Sequence, residues 1–286
     1  MAAQALRAQG VLRRGLLGLA AAALLTLGAI ARADAQTDAP IQHYIMIDLQ
    51  DGADLLALDR WYINHHAPET LARTERAQTR YVSYRTYRLA DEEYQRFNAV
   101  RGRMTHIGFA SLKAFRAGVT PAARARVAVT PLPPAVAAGF STETVTMRAA
   151  PTRMFKDEPT PERATPYFRW IAFMRAPEGV EASVFDAWVN DQLAPSLAQA
   201  EQAKRVMLFA RIDALPGARG DGAPYTHVLE VWYESRADWR AATAGLDNLA
   251  QAAPWGGAAF PNMPLRSAFI GERPDLDFMS EAPVAP

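Results

Sequence analysis

A ten-residue frame occurs twice in this chain. Asp59-Arg-Trp-Tyr-Ile-Asn-His-His-Ala-Pro68 returns as Asp186-Ala-Trp-Val-Asn-Asp-Gln-Leu-Ala-Pro195, with Asp, Trp, Ala and Pro at unchanged spacing 127 positions on. Both histidines of the first copy are missing from the second. Self-similarity at this separation means a duplicated domain rather than a solenoid of short repeats. Two further pairs support it: Thr105-His-Ile107 answers Thr226-His-Val228, and Ala114-Phe-Arg-Ala117 answers Asp238-Trp-Arg-Ala241. A frame kept while its histidines are lost implies that only the first copy retains a reactive site.

The residue pattern gives the same order of elements in both halves. In the first, β-branched and aromatic residues from His43 to Leu49 predict a strand. Leu55, Leu58, Trp61, Tyr62 and Ile63 then follow a helical period. Pro68 is expected to stop or kink that helix, because its ring collides with the carbonyl four residues back. Strands are expected over 79–89 and 105–112, helices around 113–117 and 121–127, and a strand over 142–148. In the second half the expected strands are 167–175, 205–212, 226–233 and 266–271, with helices over 182–202 and 236–244. Four prolines mark 151–166 as a linker, and the tail from 274 to 286 reads as loose.

At the N-terminus Arg7, Arg13 and Arg14 precede an apolar run from Gly15 to Ala31, and Ala33-Asp-Ala35 offers small residues at a cleavage point. This is the pattern of an export signal over residues 1–35, leaving Gln36 as the first mature residue. The paired arginines leave open whether the route is the general or the twin-arginine one. Losing four arginines and one aspartate leaves the remainder slightly acidic, with no basic run, so nucleic acid is not an expected partner. Nor is a membrane, once the signal is gone. The chain has no cysteine, which excludes disulfides, thiolate nucleophiles and thiolate metal sites. The expected location is the bacterial periplasm or the exterior.

Trp61-Tyr-x-x-His-His-x-Pro-Glu69, some fifteen residues after a first strand and followed by the Tyr/Arg-rich segment 80–88, resembles the EthD-like branch of the dimeric α/β-barrel superfamily. Tyr225-Thr-His-Val-Leu-Glu-Val-Trp-Tyr-Glu-Ser235 resembles the third-strand signature of the stress-responsive barrel domains, which include polyketide cyclases. The resemblance covers 41–273 as two tandem copies. It implies an α+β fold: ferredoxin-like domains at 36–150 and 167–273 whose sheets close face to face into a barrel. Such barrels usually form between two chains; a tandem copy lets one chain close its own, so both a monomer and a homodimer are open.

Five histidines are the principal chemical candidates. His65 and His66 project roughly 100° apart on a helix, so they are not a joint metal site. The resemblance places the family's histidine at His66. His106 shares its strand face with Gly108 and Ala110, small residues that leave room, whereas Leu229 and Val231 follow His227 in the second copy. The first half therefore reads as hollow and the second as packed. The expected site has His66 and His106 as an acid/base pair and Tyr62 orienting a substrate oxygen. Trp61, His65, His43, Tyr81 and Arg85 are the expected substrate contacts.

The function expected from this site is a cofactor-independent enzyme acting by proton transfer on a small hydrophobic, aromatic or oxygenated compound. It would be a cyclase, isomerase or lyase. Two alternatives stand beside it: a non-catalytic periplasmic binder of a small hydrophobic ligand, and a haem-dependent oxidoreductase or monooxygenase, since members of the superfamily bind haem. No metal-ligand spacing is present.

Overall fold

The computed structural model describes residues 39–76, 81–90, 96–118, 130–158, 165–211, 225–246, 248, 253–256 and 265–279. The expected export signal and the expected helix at 121–127 lie outside these residues. The first half runs β1 (Ile41–Leu49), α1 (Leu55–Trp61), a π-helical turn (Tyr62–His66), α2 (Ala67–Arg76), β2 (Ser83–Arg88), β3 (Gly102–Phe109), α3 (Leu112–Gly118), α4 (Pro134–Ala137) and β4 (Phe140–Arg148). The second follows with β5 (Arg153–Asp157), β6 (Phe168–Met174), α5 (Ala182–Trp188), a π-helical turn (Val189–Leu193), α6 (Ala194–Gln199), β7 (Ala203–Ala210), β8 (His227–Tyr233), α7 (Arg236–Thr243), β9 (Leu265–Ile270) and β10 (Leu276–Met279).

The proline does not stop the helix in either half. Ala67 donates its N–H to Tyr62 O, five residues back, and Ala194 does the same to Val189 O. A π-turn widens the helix by one residue, so the ring that follows meets no carbonyl in the usual place and the helix continues. The shared Trp-to-Pro spacing is thus a device for carrying a proline through a helix. Its repetition records a fold rather than a chemistry.

Two antiparallel sheets result, in the orders β10-β2-β3-β1-β4 and β5-β7-β8-β6-β9. Four strands of each are a ferredoxin-like unit, and the tandem α+β architecture is the one expected. The fifth strands are not. Residues 153–157, inside the presumed linker, pair with β7, and 276–279, inside the presumed loose tail, return to pair with β2 of the first half. Extended segments of alternating polarity settle on an open sheet edge because it offers unpaired amides and carbonyls.

One face of each sheet carries helices, and the other meets the opposite sheet. Tyr44, Met46, Tyr87, Met104 and Val145 face Ile171, Phe173, Met207, Phe209 and Val228 in a shared barrel core. The barrel closes within the chain. At one seam Ala90 N–H donates to Phe269 O and Val100 N–H to Ser267 O, each at 2.8 Å. At the other, Met147 bridges to Arg211. Phe97, from the first half, enters the helix-side core of the second, 5.5 Å from Trp170 and 5.4 Å from Trp239. No helix among the described residues is long and apolar enough to cross a membrane.

Candidate functional site

Strand registers show how the two copies correspond. Ile41 pairs with Phe109 and Phe168 with Tyr233, so Arg103 is the counterpart of His227 and His106 that of Glu230. The Thr-His pairs of the two halves are therefore out of step by three residues. An odd shift puts a side chain on the other face of a strand. His227 turns to the helices, where its Nε2 lies 2.8 Å from Asp186 Oδ1 and its ring 5.5 Å from Phe185. His106 turns into the barrel.

This separates the expected catalytic pair. His66, half-buried on the π-turn, stacks on Trp61 at 4.7 Å and lies 4.8 Å from Tyr62, all on the helix side of the first sheet. His106 stacks flat on Tyr44 at 4.8 Å on the barrel side. A sheet stands between the two imidazoles, so they cannot act on one molecule. The space credited to Gly108 is also taken: a Cβ there would meet Ser83 Oγ at 2.6 Å. The first half is not hollow at that position, because the neighbouring strand fills what glycine vacates.

The other expected residues divide in the same way. His43 faces the helices, its Nδ1 2.9 Å from Thr146 Oγ1 and its ring 5.0 Å from Phe115. Tyr81 stacks on Tyr84 and meets Phe109 edge-on. Arg85 lies on the barrel face, where its Nε donates to Asp277 Oδ1 at 2.8 Å. Trp61 and His65 border a surface groove of ≈ 340 Å³ shared with Arg60, Asn64, Pro131 and Pro133. The groove has a fixed far wall. Trp61 Nε1 donates to Thr130 O at 3.0 Å, and Glu69 accepts from Thr130 N–H at 2.8 Å and from its hydroxyl at 2.5 Å. Those two hydrogen bonds hold the Glu69 carboxyl below its ordinary pKa.

Beneath the π-turn is a buried polar seam. Tyr62 shares its hydroxyl with Tyr84 at 3.2 Å and with Thr105. Burial raises the pKa of both phenols, so they stay protonated. Arg103, 1% exposed, is ion-paired with Asp59 and Asp275 and donates to Thr86 Oγ1 at 3.3 Å. Its guanidinium stands 5.1 Å over the Tyr62 ring. Asp59, Tyr84, Thr86, Arg103, Thr105 and Asp275 were not expected at a site. One signal for Arg103 was present: the repeated frame keeps an aspartate in both copies, and each meets a nitrogen-bearing side chain on the third strand, Arg103 for Asp59 and His227 for Asp186.

His106 has one titration consequence. Burial, then Arg169, Arg85 and His43, lowers its pKa to about 3. Between the ordinary value of 6.5 and that figure, the unfolded chain takes up a proton that the folded chain refuses. Stability is thus full above pH 6.5 and falls as pH drops through this window, by at most ~1.4 kcal/mol per pH unit. Urea unfolding at pH 7 and pH 4.5 should show a larger acid loss in the wild type than in His106→Gln. Equal losses would contradict it.

No family model and no curated protein matches this sequence. Some solved structures are similar to it. A Lactobacillus acidophilus protein with a provisional monooxygenase name is 9% identical, with a TM-score of 0.40 over 84% of this chain and 96% of its own. A similarly named Fusobacterium nucleatum protein is 10% identical, with a TM-score of 0.38 over 85% and 98%. Chlorite dismutase from Candidatus Nitrospira defluvii, solved with imidazole, is 10% identical, with a TM-score of 0.43 over 84% and 94%. Likeness at this level carries no site residue across. The sheet between His66 and His106 overturns the expectation of a cofactor-independent proton-transfer enzyme built on that pair.

Proposed function

We propose that this chain is an exported, EthD-like barrel protein that binds a small, oxygen-bearing aromatic molecule in the groove beside the first π-turn. One observation carries the reading. In the second half the place against the motif tryptophan is filled by Trp255, packed on Trp188 at 5.0 Å and on Phe185 at 5.7 Å. In the first half the same tryptophan borders open space. Trp61 and the two prolines would offer an apolar wall, while Arg60, Asn64 and His65 would meet the ligand's oxygen. A few polar groups at the rim of an apolar cleft is the usual form of a small-molecule site. Titrating 2-naphthol while following tryptophan fluorescence tests it. Trp61→Leu and His65→Ala should each weaken binding roughly tenfold, a loss of about 1.4 kcal/mol, and unchanged affinity in both would sink the proposal. Export predicts a periplasmic protein whose first residue is Gln36.

A haem-dependent oxidoreductase is the second reading, and one atom favours it. His106 is neutral above acidic pH, and its buried Nε2 has no hydrogen-bond partner. A neutral imidazole with a spare lone pair is what an iron porphyrin takes as an axial ligand. His106 would hold the iron, and Arg85 and Arg169, whose charges act on that ring, would balance the haem carboxylates. A bound haem would supply one-electron chemistry. Hemin added to the purified protein should give a Soret band that His106→Ala loses; its absence in the wild type rules this reading out.

A further inference from the structure

The duplication supplies an internal control for the buried seam of the first half. The registers, with the offset of the repeated frame, match Tyr62 to Val189, Tyr84 to Val206, Thr86 to Leu208 and Thr105 to Leu229. Four hydroxyl-bearing residues in one copy are thus four aliphatic residues in the other, at the same places under the same helix. The fold does not need the hydroxyls. A polar group buried in a core costs free energy unless every partner is met, so the first half keeps this seam for another reason.

Arg103 is its centre, and the way it is paired identifies the ligand class. One carboxylate, Asp59, belongs to α1 and is fixed. The other, Asp275, comes from the returning tail, and its side chain is 33% exposed. Arg103 Nε is buried with no acceptor. The planar fork of a guanidinium receives a carboxylate through two parallel N–H donors. Immediately after Asp275, Leu276 and Phe278 lie partly buried on the same apolar core as Tyr84. In sequence and in space the tail presents a carboxylate and then apolar groups. Apart from its pairing with β2, through Asp275 N–H to Thr86 O and the short β10 ladder, the tail is tied by an exposed ion pair between Asp277 and Arg85.

We propose that Arg103, with Thr86 and the hydroxyls of Tyr62, Tyr84 and Thr105, forms a binding site for a small amphipathic carboxylate, and that residues 275–278 occupy it as a tethered competitor. The ligand's carboxylate replaces that of Asp275, and its apolar body takes the seats of Leu276 and Phe278. A tethered group competes at millimolar effective concentration, so the intact chain binds such ligands weakly and removing the Asp275 carboxylate exposes the affinity. This site uses none of the groove residues and stands whether or not the groove binds anything.

Octanoate is a suitable probe, titrated calorimetrically into the full chain. Asp275→Asn removes the competing charge and should bind octanoate at least ~10-fold more tightly than the wild type. Asp277→Asn, which cuts only the exposed pair with Arg85, should change affinity by less than ~3-fold, and 1-octanol should bind neither variant measurably. In the wild type, saturating octanoate should speed hydrogen exchange of the amides of 276–279. That second measurement decides the matter if Asp275→Asn fails to fold. A folded Asp275→Asn with no gain in octanoate affinity, or exchange that octanoate leaves unchanged, overturns the proposal and leaves Asp275 as a structural bridge.

Discussion

Arg103→Ala should lower the unfolding free energy by about 3–5 kcal/mol, the range found when one partner of a buried ion pair is removed. The side chain is 1% exposed and joins three separate pieces of the molecule: α1 through Asp59, β2 through Thr86, and the returning tail through Asp275. Its loss leaves Asp59, with a side chain only 16% exposed, without that buried charge partner. Arg88 lies 3.6 Å from the other oxygen of Asp59 but is itself half exposed, so it offsets little. The guanidinium also leaves the face of Tyr62, which removes its cation–π contact. Urea unfolding monitored by circular dichroism gives the number directly. A midpoint shift equivalent to less than about 1 kcal/mol, the size of an exposed pair, would show that the seam is not a buried electrostatic unit. Arg103→Lys should recover only part of the loss, because an ammonium cannot serve both carboxylates and Thr86 as a planar fork does.

Trp239→Ala should cost a comparable amount, about 3–5 kcal/mol, for a different reason. Its indole is fully buried on the helix side of the second sheet, 4.7 Å from Phe269, 5.7 Å from Phe168 and 5.4 Å from Phe97. Alanine leaves a cavity that three rings held in strands and a tight segment cannot collapse to fill. Phe97 makes the effect general, because it belongs to the first half. Loosening its seat should lower the stability of both halves together, in one transition. Near-ultraviolet circular dichroism and a probe in the first half, such as fluorescence of Trp61 after the other tryptophans are replaced, should lose signal at the same urea concentration. Two separated transitions would mean that the halves fold independently.

Much of the architecture was present in the pattern of apolar residues. The strands expected at 43–49, 142–148, 167–175, 205–212, 226–233 and 266–271 fall within a few residues of those observed. Alternation and helical period are local properties, and both halves carry them clearly. The duplication was legible for the same reason. The helix through Pro68 was not, because a π-turn is invisible to a rule that knows only the α-helical ladder. The edge strands β5 and β10 were not either: a short polar-apolar segment becomes a strand only when an open edge is within reach, and the sequence does not say which edges are open.

The site was legible in its residue types and misread in its geometry. His66 and His106 were noticed because histidine is scarce, yet which face a strand residue takes depends on register. Matching Thr105-His106 to Thr226-His227 set that register wrong by an odd number. Arg103 lay outside the strand expected over 105–112, and β3 begins earlier, at Gly102, so that the arginine is buried in it and requires a partner. That partner lies 172 residues away in the tail.

By itself, then, the sequence determined that one order of strands and helices is used twice and that the paired histidines of the repeated frame belong to the first copy alone, since periodicity and composition are read from near neighbours. Only the tertiary structure decided which of those side chains share a space. It put a sheet between the two histidines and brought a carboxylate from the C-terminal tail onto a buried arginine, because pairing register and the burial of charge are settled between segments far apart in the chain.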